Sequence, residues 1–287
     1  MNLTVKSAAK INLSLDIVGL REDGYHLLST VMQTVSLYDY IGIDTSKKGI
    51  TLSGNLPYIP YNEKNIAYKA AKLFFELIEE DAHVSIELTK HIPVCAGMGG
   101  GSSNAAAVLI GLNEAFGNPI SKELLCEKSV ALGADVPYFF YGGTKICEGI
   151  GEVVTDTAKM PSCYMVILKD KAGVSTPRAF GAFDENPIAS GYTKKTVEAL
   201  QAGNIKKIGE SLGNALYDYS ADICPQITKN IASLKDCGAY SCMTGSGSAV
   251  FGIFENETEA KKCFEKHKGK HEKTVLCTPM EEHIIII

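Results

Sequence analysis

Length, composition and charge limit the classes to which this chain can belong. Its 287 residues suffice for one large or two modest domains, and 45% hydrophobic with 21% charged residues is typical of a globular protein. The formal net charge of -5 argues against a nucleic-acid partner, because a polyphosphate repels an acidic chain. The apolar run from Ala105 to Leu112 is far shorter than the roughly 20 residues that cross a bilayer, so we expect no membrane partner.

The predicted elements of the first half alternate between strands and helices. The strands lie near 3–18, 31–44 and 84–94, and the helices near 65–80, 103–116 and 121–132. In the first strand, Lys10 and Asn12 are two residues apart and project from one face, opposite Ile11 and Leu13. Both polar side chains can therefore face a cleft, although most lysines lie on the surface.

A change in pattern near residues 158–161 predicts a boundary between two domains, 1–158 and 159–287. The second half has predicted strands at 164–168, 239–243, 249–254 and 273–278, predicted helices at 176–183, 193–202, 204–219 and 222–236, and a helix between the last two strands. The run from His283 to Ile287 is interpreted either as an edge strand or as a contact segment. The fold class expected from these elements is α+β.

The nine cysteines and a histidine pair bear on compartment and metal content. The cysteines are dispersed and include no C-x-x-C pair, which favours a reducing, cytoplasmic setting over a disulfide framework or a zinc knot. His267 and His271 are four residues apart, but Gly269 stands between them and no H-E-x-x-H pattern is near. We therefore expect exposed loop histidines and no protein-bound metal.

The segment from Pro93 to Asn104 is rich in glycine and lies between a predicted strand and a predicted helix. Glycine allows backbone N–H groups to approach an anion, and a helix that begins at Ser102 or Ser103 adds unpaired donors and the positive end of its dipole. The two serines can cap the helix or offer hydroxyls to a phosphate or its Mg²⁺. A flexible turn before a capped helix is the alternative. The pattern fits neither a P-loop nor G-x-G-x-x-G.

Three ordered segments resemble the motifs of the GHMP kinases, which include galactokinase and the homoserine and mevalonate kinases. Residues 10–13, 93–103 and 244–251 are similar to the first, second and third motif, respectively. The resemblance implies a two-domain fold, with a ribosomal S5 domain 2-like, ATP-binding domain at 1–158 and a ferredoxin-like, substrate-binding domain at 159–287. It places the active site in the cleft between them. It also implies ATP as phosphate donor, with Mg²⁺ carried on the ATP.

The resemblance assigns ATP-binding positions on both sides of the cleft. They are Asn65, Lys90, Pro93, Gly97, Met98, Gly99, Gly100, Gly101, Ser102, Ser103, Asn104, Gly245 and Ser246. Asn65 and Lys90 match positions that flank adenine in relatives. Asn65 is equally placed to cap the helix 65–80, and Lys90 to be a charge at a strand end.

Asp135 lies in the run Leu-Gly-Ala-Asp-Val-Pro, between a glycine that can end a helix and a proline that restricts the backbone. By resemblance Asp135 is the general base, or the group that orients the acceptor hydroxyl. Lys10 would pair with Asp135 and stabilise negative charge during transfer. A capping or solvated aspartate is the alternative.

The run Arg-x-Asp-Gly-Tyr-His at 21–26, the triple glycine and the Asp135 segment resemble the diphosphocytidyl-methylerythritol kinase branch of the family. This branch implies phosphorylation of a cytidine-nucleotide substrate in the methylerythritol phosphate route to isoprenoids. The substrate positions implied are Asn12, Tyr25, His26, Met32, Asp135, Thr176 and Phe180. Tyr25 and Phe180 would sandwich cytosine and His26 would bind the base edge.

Two of these substrate positions need comment. Thr176 is interpreted as a helix cap before Pro177, and Met32 replaces an aromatic residue of some relatives. Another GHMP kinase, acting on homoserine, mevalonate or a sugar, is the second hypothesis for the function. An S5-like RNA-binding module is the third, and the net charge argues against it. Whether the protein is a monomer or a homodimer stays open.

Overall fold

The computed structural model describes residues 2–287, which form two β-sheets with flanking helices. In chain order the first half contains β1 (Asn2–Leu20), β2 (His26–Asp44), β3 (Gly49–Gly54), α1 (Ile66–Ile78), β4 (His83–Thr89), α2 (Gly100–Ala115), α3 (Lys122–Ser129), 3₁₀ turns at Val130–Leu132 and Pro137–Phe140, β5 (Thr144–Gly149) and β6 (Val153–Asp156). The second half contains β7 (Tyr164–Lys169), α4 (Thr176–Glu185), α5 (Tyr192–Gln201), α6 (Ile205–Ser211), β8 (Gly213–Asn214), α7 (Tyr217–Ile223), α8 (Gln226–Lys235), β9 (Tyr240–Met243), β10 (Val250–Phe254), α9 (Glu257–His267), β11 (Lys273–Cys277) and β12 (Ile284–Ile286).

A long antiparallel hairpin of β1 and β2 organises the larger sheet. The two strands pair from Asn2 opposite Asp44 to Leu20 opposite His26, with a register shift between Asn12 and Ser14. The strand order is β12-β1-β2-β4-β3, with β5 paired to β2, β6 to β5 and β8 to β1. Helices α1 and α2 pack together in the core of this half, where the small side chains of Ala105, Ala106 and Ala107 are fully buried.

The smaller sheet is antiparallel, in the order β11-β7-β10-β9. One set of its side chains, including Met165 and Ile167, shares a core with Ile11 and Leu13 of β1. The alternate side chains pack with α8 and α9 in a separate core. The middle of β1 therefore lies where the two halves of the chain meet, and Lys10 and Asn12 lie in that stretch.

The α+β class is confirmed, and several elements differ from their predicted bounds. The predicted helix 204–219 is wrong: it is broken by β8, because this segment pairs with β1 at Ser14 and Leu15. Strands β3, β5 and β6 were not predicted. The run from His283 to Ile287 contains an edge strand, β12, which pairs with β1. The division into domains 1–158 and 159–287 stays a prediction.

The expectation of exposed loop histidines is wrong: His271 lies in a loop but its side chain is only 9% exposed, and His267 does not lie in a loop. His267 is the last residue of α9 and is 4% exposed, because its side chain packs against Ser233 near the end of α8. Within residues 2–287, no helix combines the length and the apolar character needed to span a bilayer.

Candidate active site

The glycine-rich loop ends at the amino terminus of α2. Gly99 caps the helix with φ of 67° and offers no side chain to the helix amides. The amides of Gly100, Gly101 and Ser102 precede the first helical hydrogen bond, from Ser103 N to the Gly99 carbonyl, and so they can bind an anion. The loop thus has the predicted features of a phosphate-binding segment.

The backbone of the third motif packs directly on this loop. Gly97 has φ of 72°, and a Cβ atom there would lie 2.1 Å from the carbonyl oxygen of Thr244. Thr244 Oγ1 also donates to the Gly97 carbonyl at 3.1 Å. Only glycine allows this approach, which places the second and third motifs at one edge of the cleft.

The predicted roles of the two serines are corrected by the structure. Helix α2 begins at Gly100, so neither serine is its cap. Ser103 is fully buried, its hydroxyl donates to the Ala8 carbonyl at 2.7 Å, and its amide bonds to Gly99. The Ser103 hydroxyl therefore anchors α2 to β1 and cannot bind a phosphate, whereas Ser102 lines the cleft.

Lys10 and Asp135 come together as predicted. Lys10 Nζ lies 3.3 Å from Asp135 Oδ2 and donates to Asn12 Oδ1 at 2.7 Å. The Lys10 side chain is 4% exposed and that of Asp135 is 32% exposed, so the carboxylate is the accessible member of the pair. Asn12 Oδ1 also accepts from the amide of Gly245 at 3.0 Å, which joins the first motif to the third.

Two adjoining cavities meet at the glycine loop, where both are lined by Gly97, Gly99 and Ser102. The first has a volume of about 650 Å³ and contains the Lys10–Asp135 pair. It is lined by residues of both halves of the chain, including the predicted positions Lys10, Asn12, Tyr25, His26, Met32, Asp135, Thr176, Phe180, Gly245 and Ser246.

The second cavity, of about 500 Å³, holds most of the other predicted positions. They are Asn65, Lys90, Pro93, Gly97, Met98, Gly99, Gly100, Gly101, Ser102 and Asn104. Lys64 and Lys90 line it, and the charge of Lys90 is balanced by a buried ion pair with Asp39. Among residues 2–287, the carboxylates that line either cavity are Asp135 and Asp184, both in the first. The second cavity therefore suits a polyanion better than the first does.

Aromatic side chains line the far end of the first cavity. The rings of His26 and Phe180 lie 4.6 Å apart at an angle of 30°, and His26 Nε2 lies 2.6 Å from Asp184 Oδ1. Tyr25 is 58% exposed, so its ring is accessible from solvent. Because one face of Phe180 is covered by His26, the structure brings the predicted base-binding residues together without showing the sandwich itself.

Thr176 lies one position later than its predicted role requires. Ser175 is the N-cap of α4, and Thr176 is the first helical residue, followed by Pro177. The Thr176 hydroxyl instead shares a hydrogen bond of 2.8 Å with the Ser246 hydroxyl. This bond links the amino terminus of α4 to the third motif.

Asn65 and Lys90 have structural partners as well as places in the second cavity. Asn65 caps α1, accepting from the Ala67 amide at 2.9 Å, as its alternative interpretation predicted. Lys90 forms a buried ion pair with Asp39 and donates to Asn104 Oδ1 at 2.7 Å. Asp39 also accepts from the amides of the two residues after Lys90, at 2.6 and 2.8 Å.

Asp39 and Asn214 are supporting residues that the sequence analysis missed. Asp39 shares a strand face with the buried Ile41 and Ile43, and an acidic residue on an apolar face is a signal of a buried partner. Asn214 donates to the carbonyls of Met243 and Gly245 at 3.1 and 2.8 Å and so holds the third motif. No local pattern pointed to Asn214.

Comparison with known proteins places the chain in a family. Residues 65–143 match the family model of the GHMP kinases N terminal domain, and residues 196–273 match that of the GHMP kinases C terminal domain. The 4-diphosphocytidyl-2-C-methyl-D-erythritol kinase of Clostridium botulinum strain Eklund 17B is 41% identical over 271 residues, which cover 94% of this chain and 97% of that protein. The kinase of the same name from Clostridium tetani is 40% identical over 94% and 97% of the two chains.

Solved structures agree with these matches. A crystal structure of 4-(cytidine 5'-diphospho)-2C-methyl-D-erythritol kinase has a TM-score of 0.81 and 30% identity, over 97% of this chain and 99% of that chain. Homoserine kinase from Cytophaga hutchinsonii, at 19% identity and a TM-score of 0.76 over 100% and 97% of the chains, shares the fold. The chain therefore belongs to the GHMP kinase family, together with the 4-diphosphocytidyl-2-C-methyl-D-erythritol kinases.

Proposed function

We propose that this protein transfers the terminal phosphate of ATP to the 2-hydroxyl of 4-diphosphocytidyl-2-C-methyl-D-erythritol, giving the 2-phosphate and ADP, in the methylerythritol phosphate route to isopentenyl diphosphate. The observation that carries the proposal is the position of the Lys10–Asp135 pair in the first cavity, which adjoins the second cavity at the glycine loop. Donor and acceptor in neighbouring cavities would meet beside this pair. The named relatives support the choice of substrate.

ATP would occupy the second cavity. Its base would lie toward Asn65 and Lys90, and its phosphates would accept hydrogen bonds from the amides at 100–102. Ser102 lines both cavities, and its hydroxyl is a hard oxygen donor that fits a Mg²⁺ ion. Mg²⁺ carried on the ATP phosphates would neutralise charge that builds up during transfer.

Asp135 would accept a hydrogen bond from the acceptor hydroxyl and either remove its proton or aim its oxygen at the phosphorus. The carboxylate is about one-third exposed, so a substrate can reach it, and the more buried Lys10 lines the same cavity beside it. Lys10 would stabilise negative charge on the transferred group, because its ammonium is held in place by Asn12 and Asp135. Phosphoryl transfer needs positioning and charge neutralisation of this kind.

The cytosine would bind between Tyr25 and Phe180, beside His26. If the Nε2–H of His26 donates to Asp184, then the lone pair of Nδ1 can accept a hydrogen bond from the amino group of cytosine. Met32 is almost fully buried and would supply an apolar wall, while Asn12 and Thr176 would bound the sugar-alcohol end of the cavity. Stacking on the aromatic rings would provide affinity, and the hydrogen bond to His26 would provide selectivity for the base.

An ADP-release assay with separate acceptors tests the substrate. We expect turnover with the cytidine substrate to exceed that with homoserine, mevalonate or galactose by at least about 10³-fold, because unpaired polar groups reject poor substrates strongly. Comparable turnover with one of those acceptors would favour the second hypothesis. Salt-sensitive RNA binding without ATP turnover would favour the third.

A crystal soaked with a non-hydrolysable ATP analogue tests the donor site. We expect the triphosphate within hydrogen-bonding distance of the amides at 100–102, and a triphosphate bound elsewhere would overturn the assignment.

The nine free cysteines fit our proposal of a cytoplasmic location, where thiols stay reduced.

A further inference from the structure

Two cysteines and a histidine cluster outside the two cavities of the cleft, on the outer layer of the second half. The ligand atoms of Cys237, Cys263 and His267 all lie within 4.8 Å of one another. Cys263 and His267 are four residues apart on α9 and therefore share a helix face. Cys237 follows the end of α8, so the cluster joins two helices that cover the smaller sheet.

The spacing of these atoms is close to that of a metal site. A tetrahedral Zn²⁺ ion with Zn–S bonds of about 2.3 Å and Zn–N bonds of about 2.0 Å separates its ligand atoms by roughly 3.5–3.8 Å. His267 Nε2 lies 4.0 Å from Cys237 Sγ. Closing the cluster around an ion therefore needs shifts of about 1 Å or less. Lys266, which donates to Cys237 Sγ, is exposed and free to turn into solvent.

A hydrogen-bond relay aims the lone pair of His267 at the sulfur atoms. Asp170 Oδ1 lies 3.0 Å from His271 Nδ1, and His271 Nε2 lies 3.0 Å from His267 Nδ1. Because a carboxylate only accepts, His271 carries its proton on Nδ1 and accepts at Nε2, and His267 then carries its proton on Nδ1. The lone pair of His267 is left on Nε2, the atom that faces Cys237 and Ser233.

The relay is itself well supported. The side-chain amide of Asn230 on α8 donates to the second Asp170 oxygen at 2.7 Å, which fixes the carboxylate. Metal-binding histidines commonly have their other ring nitrogen held in this way by a hydrogen-bond acceptor.

We infer that Cys237, Cys263 and His267 form a site for one thiolate-binding divalent cation of the Zn²⁺ class, with His271 and Asp170 as positioning residues. Each thiol releases its proton to solvent as its sulfur–metal bond forms. A water completes the tetrahedron, and the Ser233 hydroxyl, which lies 3.2 Å from His267 Nε2, gives up that contact when the ion binds. The ion cross-links the end of α8 to α9. This site is independent of the proposed kinase reaction.

Metal titration of the full, reduced chain tests the inference. The protein is freed of metal with a chelator, incubated with inorganic Zn²⁺ or Co²⁺, passed over a desalting column and analysed for bound metal. We expect one equivalent per chain, a thiolate-to-cobalt charge-transfer band for the Co²⁺ form, and a rise in Tm on adding Zn²⁺. Cys263→Ser and His267→Asn should lose both the band and the equivalent. Cys126→Ser, a buried control whose hydroxyl can keep the bond to the Pro137 carbonyl, should retain them.

Asp170→Asn provides a second test if the ligand variants fold poorly. This residue is no ligand, and its loss should weaken Zn²⁺ binding by about 10- to 100-fold, with unchanged stoichiometry at saturation. Less than about a tenth of an equivalent in the wild type, or full binding by Cys263→Ser, would overturn the site. A Cys237–Cys263 disulfide in freshly purified protein, detected by mass spectrometry, would also overturn it. ADP release remains a separate readout, because none of these residues lines the cleft cavities.

Discussion

Replacing Asp135 by asparagine removes one negative charge beside Lys10 and nearly preserves the shape of the side chain. Lys10 Nζ would keep Asn12 Oδ1 as a partner at 2.7 Å and lose the carboxylate at 3.3 Å. Asp135 lines the first cavity and not the second, so we expect ATP to bind with nearly unchanged affinity. The expected loss is in turnover.

The magnitude follows from the distance and the exposure. Two unit charges 3.3 Å apart attract by about 5 kcal/mol at an effective dielectric constant of 20. Because the carboxylate is about one-third exposed, solvent screens much of this, and we expect a loss of about 1–2 kcal/mol in the free energy of unfolding. The loss of a general base lowers kcat by about 10²- to 10⁴-fold, which corresponds to roughly 3–5 kcal/mol in the barrier.

Steady-state ADP release and thermal melting separate these two effects. At a temperature well below the Tm of the variant, a fall in kcat reports the reaction and not unfolding. Asp156→Asn is the matched control, because Asp156 pairs with Lys145 at 2.6 Å on the surface and is 91% exposed. We expect its kcat to equal that of the wild type. An Asp135→Asn enzyme that keeps more than about a tenth of the wild-type kcat would refute the role of this carboxylate.

Three further substitutions test the loop, the base site and the buried ion pair. Gly97→Ala should raise the KM for ATP at least about 10-fold, because a Cβ would clash with a carbonyl of the third motif. Gly117→Ala is the control: Gly117 also has a positive φ, 78°, but has open space around it, so this variant should leave the KM for ATP unchanged. Tyr25→Ala should raise the KM for the cytidine substrate about 5- to 150-fold, the equivalent of 1–3 kcal/mol. An unchanged KM in this variant would exclude stacking. Tyr25→Phe keeps the ring and should therefore keep the wild-type KM. Asp39→Ala should cost about 3–5 kcal/mol in urea unfolding, because Lys90 stays buried without an anion; a loss below about 1 kcal/mol would contradict this.

Local patterns predicted the elements whose partners are near in sequence. The alternation around residues 10–17 predicts β1, and the apolar spacing in 65–80 predicts α1, because strand and helix periods are set by the backbone itself. The predicted helix 204–219 fails because Asn214 bonds to carbonyls of the third motif and its segment pairs with β1. Tertiary hydrogen bonds there outweigh helical propensity.

In the candidate site, too, local patterns predict some features and tertiary contacts determine the others. Glycines at 97 and 99–101 predict a phosphate loop from residue type alone, because only glycine places so many bare amides together. The helix start, by contrast, was misplaced at the serines. Ser103 is taken out of reach by its bond to the Ala8 carbonyl, a contact between distant segments that no local pattern shows.

Residue chemistry was therefore determined by the sequence itself: a glycine-rich anion loop, an aspartate between a helix end and a proline, and aromatic side chains for a base. Only the tertiary structure decided which of these groups meet. Asn12 and Thr244 are 232 positions apart and share a hydrogen bond, and Asp39 and Lys90 are 51 apart and form a buried ion pair. Hydrophobic periodicity reports on residues a few positions apart. Partners this distant in sequence come together only when the two sheets pack on the shared hairpin of β1 and β2. Tertiary packing likewise brings together Cys237, Cys263 and His267.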